Sequence, residues 1–327
     1  MFSKQTVFVI GAGASYECGL PLGIELVQRI AKSLDPATPH GEKLLPFLFD
    51  QFGSTERSDF ERAAEDLRAA LKSSPSTDDA LNWLSSDPFA VKLGKTAIVK
   101  EILLAERNSV LYNSKSPAEF AKLDDTWLHH FFSMAKRDSR REDVGKIFKN
   151  TKIINFNYDR TIEQYLFLAF QQRGPLAAAE AASVVKSLDI IRPYGYLGSP
   201  WESKDLPYGR VEETNPLKMS DNILTLAEQR SEEVDHQIKQ AISDAKVIVF
   251  LGFGFHRQNV EALTIDGKET ERHIFGTTFK IDNQIGGNVA DLIRIAVKSP
   301  PGSVRFYQYK AAQYLQTYEL LILNSAG

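Results

Sequence analysis

Thr6-Val7-Phe8-Val9-Ile10 runs directly into Gly11-Ala12-Gly13-Ala14-Ser15. The first five residues are mainly β-branched or aromatic, without polar alternation, the pattern of a short strand covered on both faces. The glycines that follow let the backbone turn tightly and come close to a ligand. A strand feeding such a turn aims backbone N–H groups at phosphate, so a bound nucleotide is expected. The competing reading is a plain glycine turn inside an α/β core.

A dinucleotide-binding fingerprint would carry a third glycine at position 16, where this chain has Tyr16. Glycine returns only at Gly19, ahead of Leu20-Pro21, which halts or redirects a helix. No short strand ending in an acid follows about 20 residues on, as a ribose-binding unit requires. A hydride-transferring dehydrogenase is therefore disfavoured.

The chain has 327 residues, ample for a core, and its net charge of −3 gives no basic footprint for nucleic acid. One cysteine, Cys18, excludes an intramolecular disulfide and a cysteine-based zinc ribbon. No apolar run approaches the ~20 residues of a membrane span. The opening apolar stretch ends in glycines too soon for a signal peptide. A cytoplasmic protein is expected, with no metal, no membrane association and no direct nucleic-acid binding.

Working outward, residues 24–149 read as mostly helical, an insertion after the first strand within a single α/β domain spanning 1–327. Phe60 to Leu71 has helical spacing, Thr77 is the expected cap of a short helix, and Ala97 to Leu104 and Phe120 to Met134 form apolar stripes. Strands are expected again at Lys152–Phe156, Leu188–Ile191, Lys246–Leu251, Ile274–Ile281 and Val304–Phe306, with a helix around Val289 to Val297. Strands alternating with helices predict an α/β fold with a parallel, Rossmann-like sheet. Gly94-Lys95-Thr96 imitates the end of a phosphate-binding P-loop but lacks both the upstream strand and the glycine at position 89, which is Phe89.

In parallel sheets ligands bind beyond the carboxyl ends of the strands. Gly13, Asn157, the Tyr194-Gly195 turn and Gly252 all fall at such ends and can converge on one pocket. Asn157 is favoured there as a site residue. Asp159 is equally well a cap of the helix beginning near Arg160. The histidines supply no ligand set; His129 and His130, adjacent on a helix, cannot both face one metal.

GAGAS-x3-GLP (Gly11 to Pro21), FNYD (Phe156 to Asp159), PYGYLG (Pro193 to Gly198) and GFGF (Gly252 to Phe255) occur in the order seen in sirtuin-like proteins. Over about Val7 to Tyr309 the chain resembles bacterial sirtuin-like NADase domains more than the protein deacetylases. The latter carry a four-cysteine zinc ribbon and an FR pair where this chain has Gly23-Ile24. The resemblance implies NAD as substrate, cleaved to nicotinamide and ADP-ribose, and an effector role in anti-phage defence. It implies Gly11, Ala12, Gly13 and Ser15 at the pyrophosphate, with Leu20 and Pro21 completing that motif. Asn157 would position a water, Asp159 would engage the nicotinamide amide, and Gly252 and Gly254 would leave room for the adenosine half. Such an enzyme must be held in check, by homo-oligomerisation or by a regulatory partner protein.

The departure is Tyr194, where sirtuin-like enzymes place a histidine. An unperturbed tyrosine titrates near ~10 and histidine near ~6.5, so an equal base needs a downward shift of about 3.5 units. Three readings stand: Tyr194 only orients the ribose, His256 substitutes as base, or the domain binds NAD or ADP-ribose as a sensor or scaffold without turnover.

Overall fold

A computed structural model of the chain describes residues 1–38, 56–114, 116–201, 207–211, 214–226, 228–281 and 283–325. Its strands are β1 (Thr6–Ile10), β2 (Thr151–Asn155), β3 (Asp189–Ile191), β4 (Val247–Leu251), β5 (His273–Thr277) and β6 (Val304–Tyr307). They form one sheet in the order β3-β2-β1-β4-β5-β6, parallel throughout. This is the order of doubly wound dinucleotide-binding sheets, and the α/β, Rossmann-like class read from the sequence is what the chain adopts.

Every residue of β1 and β4 is buried, as their unbroken apolar composition requires. Side chains alternate between two cores. Val7 and Val9 join Ile154, Ile248 and Phe250 on one face; Phe8 and Ile10 join Ile153, Val249 and Leu251 on the other. The first face is covered by α1 (Gly23–Ser33), α2 (Arg57–Leu71), α3 (Thr77–Trp83), α4 (Pro88–Asn108), α8 (Glu232–Asp244) and α10 (Asn283–Ala296). The second is covered by α5 (Trp127–Lys136), α6 (Thr161–Gln172), α7 (Ala178–Lys186) and α11 (Ala311–Ser325). A short helix, α9 (Arg257–Ala262), follows β4.

The described regular elements between β1 and β2 are all helical, and they divide between the two faces of the sheet. α5 crosses to the second face because Phe131 packs edge-on against Phe8, with ring centroids 5.0 Å apart. Among the described residues of this stretch, the starts of α1 and α3 border the crevice. Three local expectations change. Ser76, not Thr77, caps α3, its side chain accepting the Asp79 N–H at 3.1 Å. The Phe120–Met134 stripe is broken before α5 begins at Trp127. β5 stops at Thr277 because Thr278 to Ile281 forms a turn, with Lys280 in left-handed backbone. Gly94-Lys95-Thr96 lies inside α4, and Gly94 there packs against Leu81.

A buried ion pair fixes α4 to the segment after β2. Arg160 Nε donates to Glu106 Oε1 at 3.0 Å, and both side chains are fully buried. The Arg160 and Gly209 N–H groups also donate to Glu106, which satisfies the carboxylate.

Candidate functional site

All six strands end on one edge of the sheet, and a cavity of about 700 Å³ opens there across the ends of β1, β2, β4, β5 and β6. Its centre is the β1/β4 boundary, where chain connectivity reverses direction and a crevice is unavoidable. The volume falls within the range of small-molecule and cofactor sites.

The floor is built by backbone contact between two glycine turns. The Gly13 N–H donates to Gly252 O at 3.0 Å and the Gly11 N–H to Leu251 O at 3.1 Å. A Cβ on Gly252, whose φ is +57°, would lie 2.0 Å from Ala14 N. These turns thus need glycine to approach one another. Gly11, Ala12, Gly13, Gly252 and Gly254 all line the cavity. Because the Gly11 and Gly13 N–H groups are already engaged, those two residues contribute shape in place of phosphate donors. Beyond the floor, Phe255 adopts left-handed backbone at φ +53°. Burial of its ring against Phe250, Phe253 and Phe306 overrides that strain. The turn then leaves His256 exposed on the cavity rim.

Asn157 lies just past β2 and is only 9% exposed, on the cavity wall. Its Nδ2 donates to Ser15 Oγ at 3.0 Å, its N–H to Asn155 Oδ1 at 3.0 Å, and its carbonyl accepts from Arg192 Nη1 at 3.1 Å. With the amide nitrogen held by Ser15, the side-chain oxygen is the atom left to accept a hydrogen bond within the cavity. Ser15 itself is buried behind Asn157 and does not line the wall. Leu20 is likewise packed in the core and Pro21 is buried, while the next two residues, Leu22 and Gly23, reach the cavity.

Asp159 is a correction toward its plainer role. It is 3% exposed, is absent from the wall, and its Oδ1 accepts the Thr161 N–H at 3.0 Å at the start of α6. Its carbonyl accepts from Arg192 Nη1 at 3.0 Å. This Asx-type turn, one residue ahead of the Arg160 cap, gives the side chain a structural role at the entry to α6.

Tyr194 does reach the wall, and its hydroxyl donates to Asn259 Oδ1 at 2.9 Å. Burial pushes its phenol up to about 12, against the opposing pull of the Arg230 cation. The shift runs opposite to what a base near neutrality needs, so Tyr194 is a neutral hydrogen-bonding group there.

Sequence reasoning passed over Asp78, which α3 brings to the same wall. The Tyr158 hydroxyl stands 3.1 Å from Asp78 Oδ1 and 2.8 Å from Leu224 O, so one proton serves two acceptors. Burial raises the Asp78 carboxyl to about 6, against the hydrogen bond from Tyr158. Its sequence signal, two acids opening a helix after Ser76, reads only as a helix start. Glu17, also on the wall, accepts the Trp127 N–H at 2.8 Å and the Ala312 N–H at 2.9 Å. It thereby joins the starts of α5 and α11, and burial raises its carboxyl. At the β5–β6 end stand Phe279, Lys280 and Lys310, with both ammonium groups within about 6 Å of the Phe279 ring.

No group of three or more potential metal ligands occurs among the described residues. Nor, among them, is any helix long and apolar enough to cross a membrane. Compared with models of known protein families the chain matches none, and no curated protein matches it.

Proposed function

We propose that the strand-end cavity binds NAD and hydrolyses its nicotinamide–ribose bond. The observation that carries this reading is convergence. The turns after β1, β2 and β4, together with the Tyr194 turn after β3, come from distant parts of the sequence and meet on one wall at the sheet's switch point. The resemblance of those turns to sirtuin-like NADase motifs supplies the substrate.

The chemistry asks little of titrating groups. Water adds to the anomeric carbon, the C–N bond breaks with its electron pair going to the pyridine nitrogen, and the products are nicotinamide, ADP-ribose and a proton. The leaving group departs neutral, so acid assistance is unnecessary, and the transition state carries positive charge on the ribose. Asn157, fixed by Ser15 and Arg192, offers an uncharged acceptor that can orient one water. Tyr194 and Asn259 form a neutral pair beside it that can hold ribose hydroxyls.

Incubation of the chain with NAD, followed by chromatography for nicotinamide and ADP-ribose, tests the reading. Both products are expected. Asn157→Ala should reduce their rate at least ~100-fold while the protein still melts in one cooperative transition, lowered only by loss of the hydrogen bond to Ser15. Failure of the native chain to form either product would refute hydrolysis.

A second reading, binding of NAD or ADP-ribose without turnover, is favoured by one observation: the residue in the usual histidine position is a phenol held at about 12. A rise in melting temperature with NAD, with no turnover in the native chain or in Tyr194→His, would support it. Regulation by self-association or a partner, and a defence role through NAD depletion, extend the first reading on the same resemblance.

A further inference from the structure

The cavity is charged oppositely at its two ends. Asp78 and Asp79 open α3 beside Tyr158, near the end of β2. Lys280 and Lys310 flank Phe279 beyond β5 and β6, where the one acid beside Lys310 on the wall, Glu17, has its carboxylate held by the Trp127 and Ala312 N–H groups. β2 and β5 are three strand spacings apart, roughly 14 Å. Asp79 adds a second carboxylate at this end, and two cations of the surrounding segments are already paired. Lys95 Nζ lies 2.7 Å from Glu228 Oε1, and Arg230 Nε lies 2.7 Å from Asp235 Oδ1. Tyr158 and Tyr194, both raised by burial, are neutral. Among the described residues no cation forms an ion pair with Asp78, whose carboxylate accepts from the Tyr158 hydroxyl and from backbone N–H groups.

We propose that Asp78 is a specificity-determining residue that selects the cationic, oxidised nicotinamide ring, while Lys280 and Lys310 face the phosphate-bearing adenosine half. The inference rests on the dinucleotide reading above and fixes the direction in which the ligand lies. NAD carries a pyridinium at one end and its negative charge on the pyrophosphate; the reduced form differs at the ring by losing that positive charge. A half-buried carboxylate near the ring therefore distinguishes the two by Coulomb attraction, which partial burial strengthens over its value in water. With its carboxyl at about 6, Asp78 is predominantly ionised at pH 7.5. Phe279, 46% exposed, presents a ring on which a base can stack.

Calorimetric titration at pH 7.5 tests this, in an Asn157→Ala background so that NAD is not consumed. NAD, NADH and ADP-ribose are each titrated into that protein and into the same protein carrying Asp78→Asn. The expected result is NAD bound about tenfold more tightly than NADH, equivalent to ~1.4 kcal/mol. Asp78→Asn should remove most of that ratio while leaving NADH and ADP-ribose within about twofold. Melting curves of both proteins confirm folding. If ADP-ribose binds but NAD and NADH are indistinguishable, or Asp78→Asn leaves their ratio intact, the role of Asp78 is refuted and the dinucleotide reading survives. If none of the three ligands binds, the dinucleotide reading falls and this inference falls with it.

Discussion

Replacing Gly252 with alanine tests whether the glycine turns act first as a structural joint. At φ +57° an added Cβ is disfavoured by about 1–2 kcal/mol from local sterics alone. That Cβ would also lie 2.0 Å from Ala14 N and 2.3 Å from Gly13 C. These are backbone atoms, and no side-chain rotation relieves them. Overpacking of this kind costs a further ~1–3 kcal/mol, for a total of about 2–5 kcal/mol. The separation would also stretch the 3.0 Å hydrogen bond from the Gly13 N–H to Gly252 O. Gly23→Ala is the control: it begins α1, and a Cβ there meets nothing within 4 Å. That substitution should be neutral or stabilise by up to ~1 kcal/mol. Equilibrium urea unfolding, read as the shift of midpoint at constant slope, measures both. A Gly252→Ala protein within about 0.5 kcal/mol of the native chain would refute the steric argument.

Three further outcomes follow from named contacts. Asp78 is raised to about 6 in the fold from an ordinary 3.8, so its ionised form opposes folding by up to about 3 kcal/mol at neutral pH. Its favourable, protonated contribution is complete below about pH 3.8 and is lost as pH rises through 6. Asp78→Asn should therefore raise the melting temperature at pH 7.5 and lose that advantage near pH 4; an advantage that is equal at both pH values contradicts the assignment. Glu106→Gln leaves the buried Arg160 guanidinium without its counter-charge and should destabilise by ~3–5 kcal/mol in urea unfolding, whereas a loss below 1 kcal/mol would count against that pair. Tyr194→Phe removes the hydrogen bond to Asn259 at a cost of about 1 kcal/mol. Rate against pH from 6 to 9 should keep its shape in that variant, since a phenol at about 12 does not titrate there; a lost limb would restore Tyr194 as a base.

The parts of the fold legible in the sequence are those with local causes. β1 and β4 announce themselves through unbroken β-branched and aromatic runs because both faces of each are covered. The Gly94-Lys95-Thr96 imitation could be rejected because no strand precedes it, and it lies within a helix. Less legible were boundaries set by one hydrogen bond. Ser76 and Thr77 are both competent caps, and which one accepts the Asp79 N–H depends on where the chain leaves extended backbone. Asp159 had two open roles, and a single contact to Thr161 distinguishes them.

The glycine turn, the alternation of strands with helices that implies a parallel α/β class, and the place of Asn157 at a strand end were legible in the sequence alone, because each depends on residues adjacent in the chain. Tertiary structure decided the strand order, the direct contact of Gly13 with Gly252, the division of the inserted helices between two faces, and the arrival of Asp78 beside Tyr158. Those features join residues tens to hundreds of positions apart, and local propensity carries no information about which distant surfaces pack together. The chemical character of the cavity belongs to that second group. A carboxyl at about 6 and a phenol at about 12 on one wall are consequences of burial, which exists only once the chain has folded.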